Sequence, residues 1–246
     1  MMRLLAALTF FTRLPFWRIR EIPASEFNRI VPLWPVTGWL TGAMLAGSLF
    51  IFSRFLPIHL AWILALCVRL LITGALHEDG LADLFDAFGA GGSRERGLAI
   101  MKDSHIGTFG VIALIIYFLL LAFLPSSMGA SELCKVAFCA DCWSKCCAAQ
   151  IVNALPYARA DQGAKNGALY ERMGLWEALL CLAAGVIPSL LILPAAKWWI
   201  CAAPAIVAAI IFAICKRRFG GYTGDCCGAT FLLCELAFLL CAAAAA

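Results

Sequence analysis

Long apolar stretches alternate with short polar connections along the whole chain. Each stretch has about 20 residues, the length that an α-helix needs to cross a hydrocarbon core of about 30 Å. The alternating ten-residue segments of a membrane β-barrel are absent. The pattern therefore predicts about seven membrane-spanning helices, at 33–52, 56–76, 107–125, 134–156, 174–194, 197–215 and 229–246.

Composition supports this prediction. Apolar residues make up 63% of the chain and charged residues 14%, compared with about 25% charged residues in an average soluble domain. In lipid, every backbone N–H and C=O group must be satisfied within its own segment, which favours helices. No polar linker divides the chain. We therefore predict an all-α fold, a polytopic transmembrane helix bundle built as a single integral membrane domain over 1–246.

The 13 cysteines do not change this picture. Disulfide scaffolds are typical of small secreted chains, and this chain is large and hydrophobic. Cys139, Cys142 and Cys146 share one helical face, but no second CxxC pair accompanies them. We expect these thiols to pack as small apolar groups, with a metal or redox site as the alternative.

Charged residues fall mostly on one side of the predicted helices. Fourteen of the 19 Lys and Arg residues lie on that side, three on the other and two within spans. By the positive-inside rule this side is cytoplasmic, together with the N-terminus. The acids share the distribution although the rule does not govern them, so we expect a cytoplasmic active site. They are Glu78, Asp79, Asp83, Asp86, Glu95, Asp103, Asp161, Glu171 and Asp225.

The densest group of acids is HEDGLADLFDAFG, which directly follows the second predicted span. If 79–86 is helical, Asp79, Asp83 and Asp86 share a face, whereas Glu78 points away by about 100°. Carboxylates at i and i+4 repel each other, so a cation should compensate them. Mg²⁺ is the natural candidate because it prefers oxygen ligands and binds carboxylates together with substrate phosphates.

A plainer interpretation of the same segment stays open. The stretch 77–106 contains Arg94, Arg96 and Lys102, which can pair with its acids in a solvated loop. We favour the metal interpretation because three acids share one face beside an otherwise apolar span.

Two further cytoplasmic segments carry candidates for binding an anionic substrate. MKDSHIGTFG, before the third predicted span, supplies Asp103 and Ser104, and glycine-rich turns at a helix start favour phosphate. The loop after the fourth span supplies Arg159 and Lys165. Ordinary topology signals explain these cations equally well.

The last cytoplasmic connection, KRRFGGYTGDCCG, combines cations, permissive backbone and one carboxylate. Its cations are again ambiguous, but the glycine-rich part is less easily explained by topology. The candidates in it are Gly220, Gly221, Thr223, Gly224 and Asp225.

Four charged residues lie inside predicted spans, where charge is costly. Asp141 and Lys145 are spaced at i and i+4 and can neutralise each other, and Arg69 can pair with Asp141 or Glu235. A structural ion pair and a functional role are both compatible with these positions.

Three motifs resemble those of the cobalamin synthase family, the adenosylcobinamide-GDP ribazoletransferases. They are HEDGLADLFDA, IMKDSHIGTFG and GGYTGDCCGA with Glu235 following; FTRLP and PVTGWLTG are similar to the family's N-terminal landmarks. Two positions depart from the family pattern. Asp86 is followed by Ala87 rather than Gly, and Ser144-Lys145 stands where an Arg is frequent, which removes the bidentate fork of that side chain.

The resemblance implies transfer of the adenosylcobinamide-phosphate moiety from adenosylcobinamide-GDP to α-ribazole or its 5′-phosphate, with GMP released. We expect Mg²⁺ as the cofactor, with Asp79 and Asp83 catalytic and binding the metal, and with Asp86 and Glu78 as further ligands. Asp103 is expected to complete the metal site or to accept the proton of the nucleophile. The residues expected to hold phosphate or the nucleotide are Gly220, Gly221, Thr223, Gly224, Asp225, Ser104 and Arg159.

The expected partners are these two substrates and the lipid bilayer of the cell inner membrane, with no nucleic acid. A homo-oligomer and an assembly with other cobamide enzymes both stay open. CDP-alcohol phosphotransferases and prenyltransferases also use Asp-rich metal sites, but the order of their motifs fits less well. A transporter would more typically carry polar groups at mid-membrane and on both faces.

Overall fold

The computed structural model describes residues 1–159 and 170–246, and its regular elements there are helical, apart from one backbone bridge between Tyr157 and Tyr222. The α-helices are α1 (Met2–Phe11), α2 (Ala24–Phe27), α3 (Trp34–Phe52), α4 (Ile58–Thr73), α5 (Leu76–Gly89), α6 (Arg94–Ile100), α7 (Thr108–Phe123), α8 (Ala130–Ala154), α9 (Leu175–Ile192), α10 (Ala202–Phe219) and α11 (Gly224–Ala244). Short 3₁₀ turns join several of them.

Among the described residues, five helical segments are long and apolar enough to cross a membrane, and the α4–α5 pair makes a sixth if it counts as one bent span. The five are Val31–Phe52, Thr108–Ser126, Leu175–Ile192, Ala195–Phe219 and Gly224–Ala244. The other predicted spans coincide with α4, which has only 16 residues, and with α8, which contains four charged residues. The all-α polytopic bundle is confirmed, with a span count close to the predicted seven.

Helix α8 lies at the centre of the bundle and packs against α3, α9, α10 and α11. Its closest approach is to α3, where a Cβ added at Gly38 would lie 3.0 Å from the Cα of Cys142, and one at Gly42 would lie 3.2 Å from the carbonyl oxygen of Phe138. Glycines at these positions let the two backbones meet. All 13 cysteines are free thiols and most are buried, as the packing interpretation predicts.

A sharp corner separates α4 from α5, and the two helix axes differ in direction by 90°. Gly74 and Ala75 both have left-handed backbone conformations, with φ of +67° and +57°. The backbone N–H of Arg13 donates to the carbonyl of Ile72 over 2.7 Å, which ties the corner to the segment after α1. Helix α5 leaves this corner to pack against α11 and α7, and it is the helix that carries the acidic motif.

Candidate active site

Helix α5 presents its acids to different surroundings. The condition for the shared face is met, since residues 79–86 lie within a helix. Asp79 is exposed and Asp83 is half-buried, whereas Glu78 is buried. The Glu78 carboxylate lies 3.5 Å from the Arg69 guanidinium, so it faces the interior, away from Asp79, as the helical geometry predicts.

The Asp86 carboxylate binds the start of α7. Its two carboxylate oxygens accept hydrogen bonds from the backbone N–H groups of Gly107, at 2.6 Å, and Gly110, at 2.8 Å. A Cβ at either glycine would come within 2.5 Å of this carboxylate. Asp86 therefore satisfies backbone donors that a helix start leaves free, a structural task that sequence reasoning did not assign to it.

Asp225 is brought to the acidic face of α5 by a close contact between helices. A Cβ added at Gly80 would lie 3.0 Å from both the Cα and the carbonyl oxygen of Asp225. Any side chain at this position would force the two helices apart by a few tenths of an ångström. It places Asp225, from the start of α11, within electrostatic range of Asp79 and Asp83, so three carboxylates from two distant motifs meet as the sequence predicts.

The start of α11 is capped by a side chain of the same motif. The Thr223 hydroxyl oxygen accepts a hydrogen bond from the backbone N–H of Cys226, and its O–H donates to the Asp225 carboxylate over 3.1 Å. Gly224, the first residue of the helix, is exposed. A helix start has free N–H groups and a partial positive charge, and both favour an anionic group such as phosphate.

The glycine-rich connection before α11 pairs with the loop after α8. The backbone N–H of Ala158 donates to the carbonyl of Tyr222 over 2.8 Å, and that of Tyr222 donates to Pro156 over 2.9 Å. Gly221 lies at this junction, where a Cβ would be 2.2 Å from the Pro156 carbonyl oxygen. Gly220 ends α10 with a φ of +70°, so both glycines shape the connection.

Two arginines hold this junction to the acidic face. Arg94 donates to the carbonyl oxygens of Phe219, at 2.7 Å, and Ala158, at 2.9 Å. The Arg159 guanidinium lies 3.6 Å from the Asp225 carboxylate. The predicted anion-binding Arg159 therefore lies beside the carboxylates, whereas Arg94 has a structural role.

The loop after α6 lies against the start of α11 through Met101, whose sulfur is 3.6 Å from the Thr223 hydroxyl. Asp103 and Ser104 follow in this loop and are exposed. The Asp103 carboxylate is 2.6 Å from the Nδ1 atom of His105. This hydrogen bond lowers the pKa of Asp103 and raises the pKa of His105 from their ordinary values.

The donor set at the acidic face fits a hard divalent cation that is completed by a substrate. Within residues 1–159 and 170–246, no three His, Cys, Asp or Glu side chains are grouped so as to hold a metal ion by themselves. Mg²⁺ in phosphoryl-transfer sites takes one or two carboxylates, with waters and substrate phosphates as further ligands. Asp79 and Asp83 meet that requirement. Asp161 and Lys165 lie outside the described residues.

The charged residues inside the bundle form two buried clusters. Arg69 donates to both Glu235 oxygens, at 2.7 and 2.6 Å, and Tyr117 donates to Glu235 over 3.1 Å. Lys145 donates to Asp141 and, over 2.7 Å, to the hydroxyl of Thr41. These contacts are those of structural ion pairs, one of the two alternatives that the sequence left open for these residues. Glu235 is the main partner of Arg69.

Comparison with known proteins gives a consistent result. The family model described as cobalamin-5-phosphate synthase matches residues 3–243. A protein of Shewanella sp. (strain W3-18-1), named adenosylcobinamide-GDP ribazoletransferase, is 34% identical over 94% of this chain and 90% of its own length. Proteins of the same name from Shewanella baltica (strain OS185) and Shewanella oneidensis are 33% and 32% identical over the same share of this chain. No solved structure matches the chain significantly.

The family motifs correspond to the parts of the structure that meet at the acidic face. The acidic motif forms α5, and the C-terminal motif forms the connection to α11 and its first turn. The match extends over nearly the whole chain. This chain therefore belongs to the cobalamin-5-phosphate synthase family and is a transferase of that family.

Proposed function

We propose that the protein transfers the adenosylcobinamide-phosphate moiety of adenosylcobinamide-GDP to α-ribazole or α-ribazole 5′-phosphate and releases GMP. The observation that carries the proposal is the approach of Gly80 to Asp225. It unites the carboxylates of α5 with an anion-binding helix start in a chain of this family. The names of the related proteins support the choice of substrates.

In this reaction a ribose hydroxyl of the acceptor attacks the phosphorus next to the cobinamide. A new P–O bond forms, the P–O bond to GMP breaks, and the hydroxyl proton is lost to a base. Catalysis of such a transfer depends on positioning and on stabilising charge at the phosphoryl oxygens. Mg²⁺ held by Asp79 and Asp83 would neutralise part of that charge.

The other residues act on the same phosphates and on the proton. Gly224 leaves the start of α11 open, so its backbone N–H groups can receive a phosphoryl oxygen. Arg159 supplies a positive charge 3.6 Å from Asp225 and can shift to the pyrophosphate when substrate binds. Asp103, exposed in the neighbouring loop, is proposed to accept the nucleophile's proton, and Ser104 to bind the nucleotide.

The proposed location is the inner membrane, with the acidic face and the N-terminus in the cytoplasm. The positive-inside distribution of Lys and Arg supports this orientation. Both substrates are polar, and a site on the face that carries the long connections can receive them from water. Accessibility of a single cysteine introduced at Glu21, which is exposed, would test the orientation in intact cells.

The test of the reaction is GMP release by the purified protein in lipid nanodiscs. The assay contains adenosylcobinamide-GDP and α-ribazole 5′-phosphate, with Mg²⁺ or with a chelator. We expect metal-dependent GMP release matched by one equivalent of cobalamin 5′-phosphate. GMP release that does not require the acceptor would indicate hydrolysis instead, and absence of both products would contradict the proposal. A parallel reaction with a CDP-alcohol donor tests the nearest rival.

A further inference from the structure

A cavity of about 130 Å³ lies between α1, α3, α5, α8 and α11. Asp79, Gly224 and Asp225 line one part of it, so the cavity is continuous with the acidic face. Most of its remaining wall is aromatic. The aromatic rings of that wall are Phe10, Phe11, Trp34, Tyr170 and Phe231, with the imidazole of His77.

These rings are packed against one another in fixed orientations. The His77 ring stacks on Phe11, with ring centroids 5.6 Å apart and planes 11° apart. Trp34 meets Phe11 edge to face at 5.6 Å, and Tyr170 meets Trp34 in the same way at 5.4 Å. A wall of this kind favours a flat aromatic ligand, which gains stacking and edge-to-face contacts. The volume is of the order that holds an aromatic ring, since a dry cavity of about 150 Å³ binds benzene.

Two polar atoms in this wall have no partner within the described part of the chain. They are the indole N–H of Trp34 and the Nε2 atom of His77, on side chains of residues that are only 3% and 4% exposed. A buried polar group without a hydrogen bond costs about 1–3 kcal/mol. Both side chains line the same cavity, so a ligand held there can supply their partners.

The lysine in the cavity wall, unlike Trp34 and His77, already has hydrogen-bond partners and is less available to a ligand. Lys145 is bonded to Asp141 and Thr41 and lies over the Phe231 ring at 4.4 Å. The aromatic part of the cavity therefore offers a ligand the Trp34 N–H, one imidazole nitrogen of His77 and the phenol of Tyr170, whereas the Asp79 and Asp225 carboxylates and Gly224 lie in the part that joins the acidic face. In its aromatic part this is a short polar inventory.

We propose that this cavity binds the base of the acceptor, a flat, largely apolar bicyclic nitrogen heterocycle; the inference rests on the proposed function. The benzimidazole of α-ribazole has one nitrogen bonded to ribose and a single acceptor nitrogen left. Trp34 donates to that nitrogen, because an indole N–H can only donate. His77, two residues before Asp79, bonds a ribose hydroxyl and so directs the sugar toward the carboxylates.

The guanine of the donor fits the cavity less well. Guanine carries acceptors at N7 and O6 and a donor amino group, along with further ring nitrogens. In the aromatic part of the cavity, Trp34, His77 and Tyr170 can satisfy at most three of these groups, and burial of the others there without partners would cost binding free energy. The polar inventory thus favours the acceptor base over the nucleotide base.

The experiment measures steady-state kinetics of GMP release in nanodiscs with three variants. Trp34→Phe and His77→Phe each remove a polar atom and keep a flat ring. Trp39→Phe makes the same change on the same helix, where the indole instead donates to the Ala184 carbonyl. Each acceptor is assayed as α-ribazole and as an indole riboside, in which C–H replaces the acceptor nitrogen.

We expect the wild-type enzyme to have about a tenfold higher KM for the indole riboside than for α-ribazole, the equivalent of one hydrogen bond. Trp34→Phe should raise the KM for α-ribazole by about the same factor and abolish the discrimination between the two acceptors. His77→Phe should raise both acceptor KM values and keep the discrimination. Trp39→Phe should behave as the wild type, and no variant should change the KM for adenosylcobinamide-GDP.

Other outcomes would overturn the inference and leave the proposed function standing. A rise in the donor KM would place guanine in the cavity. Unchanged discrimination in Trp34→Phe would show that its N–H does not contact the base. If Trp34→Phe fails to fold, the wild-type comparison of the two acceptors and His77→Phe still decide. Absence of wild-type GMP release would instead contradict the proposed function itself.

Discussion

The charged residues of the bundle interior and those of the acidic face have different surroundings. In the bundle interior, Arg69 is held by Glu235 and Tyr117, and Lys145 is held by Asp141. At the acidic face, neither Asp79 nor Asp83 forms an ion pair with any of the described residues. The interior charges pair with one another. The unpaired carboxylates of Asp79 and Asp83 therefore indicate where substrate and metal are expected to bind.

The largest effect is expected at the acidic face. Asp79→Asn and Asp83→Asn each remove a proposed metal ligand and should lower kcat for GMP release by about 10³-fold, because the metal supplies several kcal/mol of charge stabilisation. The unfolding midpoint in detergent should not fall. Glu21→Gln, at another exposed carboxylate, is the matched control and should retain full activity. Full activity in either Asp variant would show that the substituted residue is not a ligand of the metal.

In the interior we expect a loss of stability and no direct effect on substrate binding. Glu235→Gln deprives Arg69 of its main counter-charge, and breaking a buried pair from one side costs about 3–5 kcal/mol. The free energy of unfolding, measured by titration with a denaturing detergent, should fall accordingly. Glu132→Gln breaks a partly exposed pair with Lys197 and should cost about 1 kcal/mol or less.

The fraction of Glu235→Gln that remains folded should bind the donor with an unchanged KM. If Glu235→Gln folds as stably as the wild type but does not release GMP, the distinction between the two regions is wrong. The interior cluster would then take part in catalysis.

A smaller effect is expected from separating the two halves of the acidic face. In Gly80→Ala the new methyl group would lie 3.0 Å from the backbone of Asp225, so α5 and α11 must move apart by a few tenths of an ångström. Misplaced catalytic groups lower turnover steeply, and we expect about a tenfold loss of kcat. Gly47→Ala, where a Cβ has no neighbour within 4 Å, should leave kcat unchanged.

The smallest effect on stability is expected at the exposed Asp103–His105 pair. The pKa of His105 is raised, so its contribution to stability is present below the unfolded pKa, about 6.5, and is lost as pH rises through the folded value. The pKa of Asp103 is lowered, so its contribution is present above the unfolded pKa, about 3.9, and is lost as pH falls through the folded value. NMR titration of His105 should show its pKa falling toward the ordinary value in Asp103→Asn. An unchanged His105 pKa would show that the pair does not form in solution.

Much of the fold follows from local sequence, because helices long enough to span a membrane are defined by their own residues. The helical face shared by Asp79 and Asp83, and its meeting with Asp225, also follow from periodicity and topology. The role of Asp86 does not, since it depends on a contact with Gly107 and Gly110 about 20 residues away. From the sequence alone, a carboxylate that caps a helix looks the same as a metal ligand. The two glycines that it binds likewise look the same as those of a phosphate-binding loop.

The cavity was also beyond sequence reasoning. Trp34 and His77 look like core residues in isolation, and on an ideal helix His77 points away from Asp79. Only the packing of five helices shows that both side chains line the same cavity and that a polar atom of each lacks a partner among the described residues. A signal was present in the clustering of Phe10, Phe11 and Trp34 near predicted cytoplasmic ends, but aromatic residues at such ends are also ordinary membrane anchors.

The corner at Gly74 and Ala75 connects the first helix to the helix that carries the acidic motif. Two successive left-handed residues do not hold a right angle unaided, and the non-glycine Ala75 carries a conformational cost of about 1 kcal/mol. The brace is Arg13, whose backbone bonds Ile72 and whose side chain fills the space over Gly74. Because Arg13 lies two residues after the end of α1, the segment that α1 anchors helps to fix the corner from which α5 starts, and with it the direction of the helix that carries the carboxylates.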